Sequence, residues 1–190
     1  MGDQSHYYNT GITCVDCSVE FDLFTQLYPT NSDAAVFLAA SSGWQYDAYA
    51  LFCRRGNRIF AYHGNEQQFL SFKEKNRYKF TTDYATKVGT LVNKDTEETK
   101  SVANLDLNPT SQNGLKVLAI NSSYSTTAGF ESLKVNNNGQ DYWFLPMKVN
   151  GVMEMVDVYT GNYATKQVGL PEGLFHKVNG SWVTWTPSTP

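Results

Sequence analysis

Apolar and polar residues alternate with a period of two along much of the chain. Cys17, Val19, Phe21 and Leu23 take one set of positions while Ser18, Glu20 and Asp22 take the other, the pattern of a strand with one buried face. The same alternation sets Tyr78, Phe80, Thr82 and Tyr84 against Lys79, Thr81 and Asp83. Where Tyr142 and Phe144 oppose Trp143 and Leu145, both faces are bulky, which predicts a strand buried on both sides or covered by another subunit. KVLAIN (116–121) is similarly apolar and reads as a central strand.

Between these runs stand two-residue turn signals that tolerate positive φ: Gly56-Asn57, Gly64-Asn65, Asn113-Gly114, Asn138-Gly139, Asn150-Gly151, Gly161-Asn162 and Asn179-Gly180. They bound strands expected near 7–12, 15–24, 34–40, 47–55, 58–63, 67–72, 76–85, 88–93, 97–103, 115–121, 128–136, 140–149 and 152–158, with a hairpin over 174–185. No stretch of a dozen residues carries a helical period. Many short strands joined by hairpins predict an all-β chain, a two-sheet antiparallel β-sandwich.

Composition sharpens this picture. The 190 residues suit one domain, and only 17% are charged, against roughly 25% in average soluble domains, so Asn, Ser, Thr, Gly and Gln supply the polarity. The net charge of −3 gives no electrostatic reason to expect nucleic acid, and Arg54, Arg55 and Arg58 read as a solvated hairpin tip. There is no apolar run of membrane-spanning length and no secretory core at the N-terminus. The expectation is a chain made in a reducing compartment, without membrane insertion. Three cysteines agree. Cys14 and Cys17 form a C-x-x-C, a spacing used for zinc or for a redox dithiol. A structural zinc needs about four ligands, and only Cys53, His6, His63 and His176 remain. If the strand extends back to Cys14, that thiol points to the face opposite Cys17, and both cysteines are structural.

The order of segments resembles the laminin-G-like, concanavalin A-type jelly rolls of phage and bacterial surface proteins. The residues that carry the likeness are NTGI (9–12) and CSVEFDLF (17–24), AAVFLAA (34–40), AYALFCRRGNRIFAYHG (48–64), KNRYKFTTDYAT (75–86) and KVLAINSS (116–123). The stretch AGFESLKVNNNGQDYWFLPMKVNGVMEMVDVYTGNYAT (128–165) follows. The resemblance implies a jelly-roll domain over 1–165, and leaves 166–190 as a C-terminal hairpin or arm packed on the same domain or on a neighbouring subunit.

Glucanases of concanavalin A type carry E-x-D-x-x-E, and Glu20-Phe21-Asp22 supplies only its first half; the second carboxylate that retaining hydrolysis needs is missing. There is no G-x-S-x-G, P-loop or H-E-x-x-H. The expectation is therefore no enzymatic activity. No cofactor is expected; the resemblance would allow calcium, yet Asp33, Asp47, Asp95 and Asp106 form no dense cluster. A sugar ring needs an aromatic platform beside amide and carboxylate groups, and Trp44, Gln45, Tyr46 and Asp47, with Tyr62, His63 and Asn65 on the neighbouring hairpin, are the glycan candidates. Trp143, Trp182 and Trp185 are the interface candidates, since tryptophan is enriched at interfaces. The resemblance implies a bacteriophage virion protein (head decoration, fibre or tail-associated) assembled in the host cytoplasm, with itself and other virion proteins as partners. The alternative is a lectin-like module for a host surface glycan.

Overall fold

The computed structural model describes residues 8–25, 34–40, 49–54, 58–63, 65–105, 114–118, 128–166, 175–178 and 181–184. Every regular element among them is a strand. One seven-stranded sheet has the spatial order β14 (Thr165–Lys166), β1 (Tyr8–Thr13), β10 (Gly114–Val117), β3 (Ala34–Ala40), β4 (Tyr49–Arg54), β5 (Arg58–His63), β6 (Asn65–Ser71). The other has the order β13 (Val152–Asp157), β12 (Gln140–Val149), β11 (Ala128–Asn137), β2 (Cys17–Thr25), β7 (Arg77–Asp83), β8 (Val88–Asn93), β9 (Thr99–Val102). Neighbours in both are antiparallel. A separate hairpin pairs β15 (Phe175–Val178) with β16 (Ser181–Thr184). The fold is the all-β, two-sheet sandwich that the alternation predicts.

The core lies between the sheets because each strand sends alternate residues inward. Cys17, Val19, Phe21 and Leu23 of β2, Tyr78 and Phe80 of β7, and Leu133 and Val135 of β11 are all buried. They meet Leu51, Phe69, Leu115 and Val117 from the first sheet in one hydrophobic cluster. Aromatic pairs join the layers: Phe69 meets Phe80 edge-on at 5.7 Å, and Tyr8 meets Phe130 at 6.0 Å. Each such ring contributes about 1.5–3 kcal/mol through burial alone. Burial, with Glu154 nearby, pushes the Tyr8 phenol up from its ordinary range.

Two hairpins show why the Asn-Gly signals matter. Asn138 and Gly139 have φ of 50° and 81°, and Asn150 and Gly151 have 52° and 86°. Positive φ at both central positions matches the right-handed twist of the strands being joined, so β11–β12 and β12–β13 follow one another directly in the second sheet.

Two strand readings need correction. Strand β12 is not buried on both sides: Phe144 is buried, whereas Trp143 and Leu145 are half-buried on the outer face. Cys14 does not point away from Cys17. Asp16 adopts φ of 49°, the chain bends between β1 and β2, and both cysteines enter the same core.

Candidate functional site

The outer face of the second sheet carries two kinds of surface side by side. Register places Trp143, Lys134, Glu20, Thr81, Thr90 and Ser101 in one row across β12, β11, β2, β7, β8 and β9. Beside it run Ser132, Asp22, Lys79, Val92 and Thr99. At the β13 side the row becomes Tyr163, Val156 and Leu145. All these positions alternate with core residues, which fixes them on the outside of the sandwich.

Over β11, β2 and β7 the surface is an ion-pair lattice. Glu20 bridges Lys79 at 3.0 Å and Lys134 at 3.2 Å. Lys94 reaches Asp22 at 3.0 Å and Glu131 at 3.5 Å. The Ser132 hydroxyl donates to the second oxygen of Asp22 at 3.2 Å. Arg77 donates to Asp95 from its guanidinium at 2.9 Å and from its backbone N–H at 2.7 Å. Desolvation pushes the Glu20 carboxyl up, but the hydrogen bonds and charges of Lys79 and Lys134 outweigh it, so Glu20 titrates below its usual range. Desolvation likewise pulls Lys94 down and is overcome by Asp22 and Glu131, which leave it raised. The Glu20-Phe21-Asp22 stretch is thus the charged side of a strand, with each carboxylate held by a lysine.

Over β12, β13 and the turn that follows, the surface is aromatic. Tyr159 is 62% exposed, Tyr163 57% and Val158 39%, and the Val158 N–H donates to the Trp143 carbonyl at 2.9 Å, which keeps that segment paired to β12. The Trp143 and Tyr159 rings lie 6.2 Å apart at 56°. Lys134 stands 5.3 Å from the centre of the Trp143 ring and joins the two surfaces by a cation–π contact.

One buried carboxylate builds the aromatic end. Asp157 is 2% exposed. Its Oδ1 accepts from the backbone N–H groups of Trp143 at 3.0 Å and Tyr159 at 3.3 Å, and its Oδ2 accepts from the Thr160 hydroxyl at 2.7 Å. Its backbone closes the loop as well, with Asp157 N–H to the Asn162 carbonyl at 2.8 Å and Gly161 N–H to the Asp157 carbonyl at 2.7 Å. Gly161 takes φ of 74°, a conformation in which glycine is unstrained. Tyr159 and Tyr163 therefore project from a braced turn. Beneath them the Trp143 Nε1 donor is buried without an acceptor among the described residues, a state that costs about 1–3 kcal/mol.

Of the residues singled out from sequence, Trp143 stands in this surface. Trp44, Gln45, Tyr46, Asp47 and Trp185 lie outside the described residues. Tyr62 and His63 end β5 and Asn65 opens β6, with His63 and Asn65 paired across the hairpin. Trp182 pairs with Lys177 in the β15–β16 hairpin. The side chains of these four lie outside the description. Among the described residues no group of three or more His, Cys, Asp or Glu is placed to hold a metal ion, and Asp95, one of the calcium candidates, is bound to Arg77. Sequence reasoning passed over Tyr159, Tyr163 and Asp157, although the Asp before a Thr-Gly turn in VDVYTGNY carried a signal, since aspartate caps such turns with its own carboxylate.

No family model matches the chain, and no curated protein does. Solved structures match it as folds. A Scytalido-glutamic peptidase crystallised with a peptide-based transition-state analogue shares 11% identity over 85% of this chain and 97% of that one, at a TM-score of 0.45. SCP-B, a member of the eqolisin family of peptidases in complex with the tripeptide Ala-Ile-His, shares 10% over 78% and 90%, at 0.43. The full-length tailspike protein 2 from Escherichia coli O157:H7 bacteriophage CAB120 shares 10% over 69% of this chain, at 0.47, and this chain spans only 21% of it. At such identity the likeness extends to the β-sandwich alone, and nothing in it singles out a laminin-G type. The expectation of no enzymatic activity is corrected here, because peptidases stand among the matched folds. It rested on missing motifs, and such motifs belong to particular families.

Proposed function

We propose that this chain is a structural β-sandwich of a bacteriophage particle, a head-decoration, fibre or tail-associated component, that engages its partner through the aromatic end of the second sheet. The observation that carries the reading is the cluster of Val158, Tyr159 and Tyr163, held out by the Asp157-braced turn beside the half-buried Trp143. Tyrosine and tryptophan rings offer large contact area at low cost in side-chain entropy, and a rigid mount lowers the ordering cost of association. The adjoining charges are already paired with one another, so this face favours a partner that is largely uncharged at the contact. The phage context comes from the sequence resemblance. The partners are further copies of the chain and other virion proteins, and the site of action is the virion.

The test is sedimentation velocity over a wide concentration range, with the wild type beside a Tyr159→Ser, Tyr163→Ser double variant. A discrete oligomer that the variant lowers to monomer supports the reading. A wild-type chain that stays monomeric and joins no particle sinks it.

The angled Trp143 and Tyr159 rings, with the well-exposed Tyr159 carrying a polar handle, favour a second reading, a lectin-like module for a host surface glycan. A glycan array separates the two. Retention that the double variant loses, by a monomeric wild type, selects the glycan.

A further inference from the structure

The bend between β1 and β2 brings two thiols together. Strand β1 ends at Thr13 in the first sheet and β2 begins at Cys17 in the second, so residues 14–16 strap one layer to the other. Asp16, at φ of 49°, turns the chain back. Cys14 and Cys17 are 1% and 0% exposed, both unoxidised, and both enter the same core cluster at the two ends of this bend. The neighbouring Cys17, followed by burial, pushes the Cys14 thiol up, so Cys14 keeps its proton in the closed structure. The strap is latched from outside. Asn137 Oδ1 accepts from the Val15 N–H at 2.7 Å, and Asn137 Nδ2 donates to the Thr13 carbonyl at 3.0 Å.

We propose that Cys14 and Cys17 form a dithiol modification site, oxidised to an intramolecular disulfide by a low-molecular-weight disulfide such as oxidised glutathione. One cysteine loses its proton and attacks a sulfur of the oxidant, whose S–S bond breaks and releases one thiolate. The second cysteine, at the other end of the same bend, loses its proton and attacks the mixed disulfide. A second thiolate leaves, and both thiolates take up the two protons. Two electrons pass from the cysteines to the oxidant, and the product is one Cys14–Cys17 bond with two small thiols. Since both sulfurs are closed off and the attacking species is the thiolate, the first step waits on opening of the strap. Asn137 therefore governs the rate. Two residues separate the cysteines, so the new bond closes a small ring across the point where the chain passes between the sheets.

The experiment uses the full chain with Cys53→Ser, which leaves two thiols. Folded protein is incubated with oxidised glutathione, quenched in acid, alkylated with iodoacetamide and weighed intact, with a urea-unfolded sample showing that the oxidant is competent. The expected product has lost two hydrogens, carries no glutathione, links Cys14 to Cys17 on peptide mapping, and reverts with dithiothreitol. Adding Asn137→Ala speeds its formation roughly tenfold, the factor set by losing one or two net hydrogen bonds. Adding Cys17→Ser instead leaves a stable glutathione adduct on Cys14. Stable single adducts on the chain that retains both cysteines overturn the proposal. So does a folded chain that stays reduced both with and without Asn137→Ala.

Discussion

The two halves of the second sheet's outer face solve the same problem in opposite ways. Over β2, β7 and β11 the outer face carries Glu20, Asp22, Lys79 and Lys134, and each of these charges is paired, with one another or with Lys94 of the β8–β9 turn. Along the turn after β13 the large exposed side chains are Val158, Tyr159 and Tyr163, and what is satisfied is the backbone beneath them, by the Asp157 carboxylate. A surface that saturates its own side chains has little left to offer a partner. A surface that saturates only its scaffold keeps its side chains available. The boundary between them is the contact of Lys134 with Trp143.

The change that should break this contrast most completely is Asp157→Ala. It strips the acceptor from two backbone N–H groups and a hydroxyl at a site 2% exposed. Hydrogen bonds to a charged group are worth about 1.5–3 kcal/mol each and are not additive, so a loss of about 3 kcal/mol is expected. Urea unfolding followed by tryptophan fluorescence measures it; a loss below about 1 kcal/mol would mean that the turn is braced by its backbone alone.

The Tyr159→Ser, Tyr163→Ser double variant should do the reverse. Both rings are more than half exposed, so stability should stay within about 0.5 kcal/mol of wild type, while association through this face weakens tenfold or more, about 1.4 kcal/mol. Equal losses in folding and in association would show the rings to be structural.

Lys134→Ala tests the boundary. It removes an exposed ion pair to Glu20 and the cation–π contact with Trp143, together about 1 kcal/mol. The smallest effect is the pH response of Glu20. Its carboxyl titrates lower in the folded chain than in the unfolded one. Its contribution is therefore fully present above the unfolded value of about 4.3 and is lost as pH falls through the folded value. Glu20→Gln should flatten that part of the acid limb and leave the aromatic end unchanged; an unaltered acid limb would remove Glu20 as a contributor.

The amino-acid pattern foretold one half of this face better than the other. Alternation along Cys17–Leu23 and Tyr78–Asp83 told which side chains enter the core, because a period of two is a direct consequence of the pleat. The Asn-Gly pairs foretold the hairpins at 138–139 and 150–151 because positive φ is a local property. Cys14 was misplaced for the opposite reason. Nothing in T-C-V-D-C announces that Asp16 will take a positive φ, since the bend is held by Asn137, more than a hundred residues away in sequence. Trp143 was marked for its bulk alone, while the residues that give it a role, Asp157 and Tyr159, come to it by the pairing of β12 with β13. That neighbourhood exists only once the sheet has formed.

The pairing of β1 with β14 has a mechanical consequence. Tyr8 opposes Lys166 and Asn9 opposes Thr165, antiparallel. Tension applied to chain entering at Tyr8 and leaving at Lys166 pulls both strands from the same end of their ladder. The load would fall on one rung at a time, as in a zipper, instead of being shared as shear across the whole seam. Strand β14 should peel away at low force and unload the rest of the sandwich, a yielding joint ahead of a stiff body.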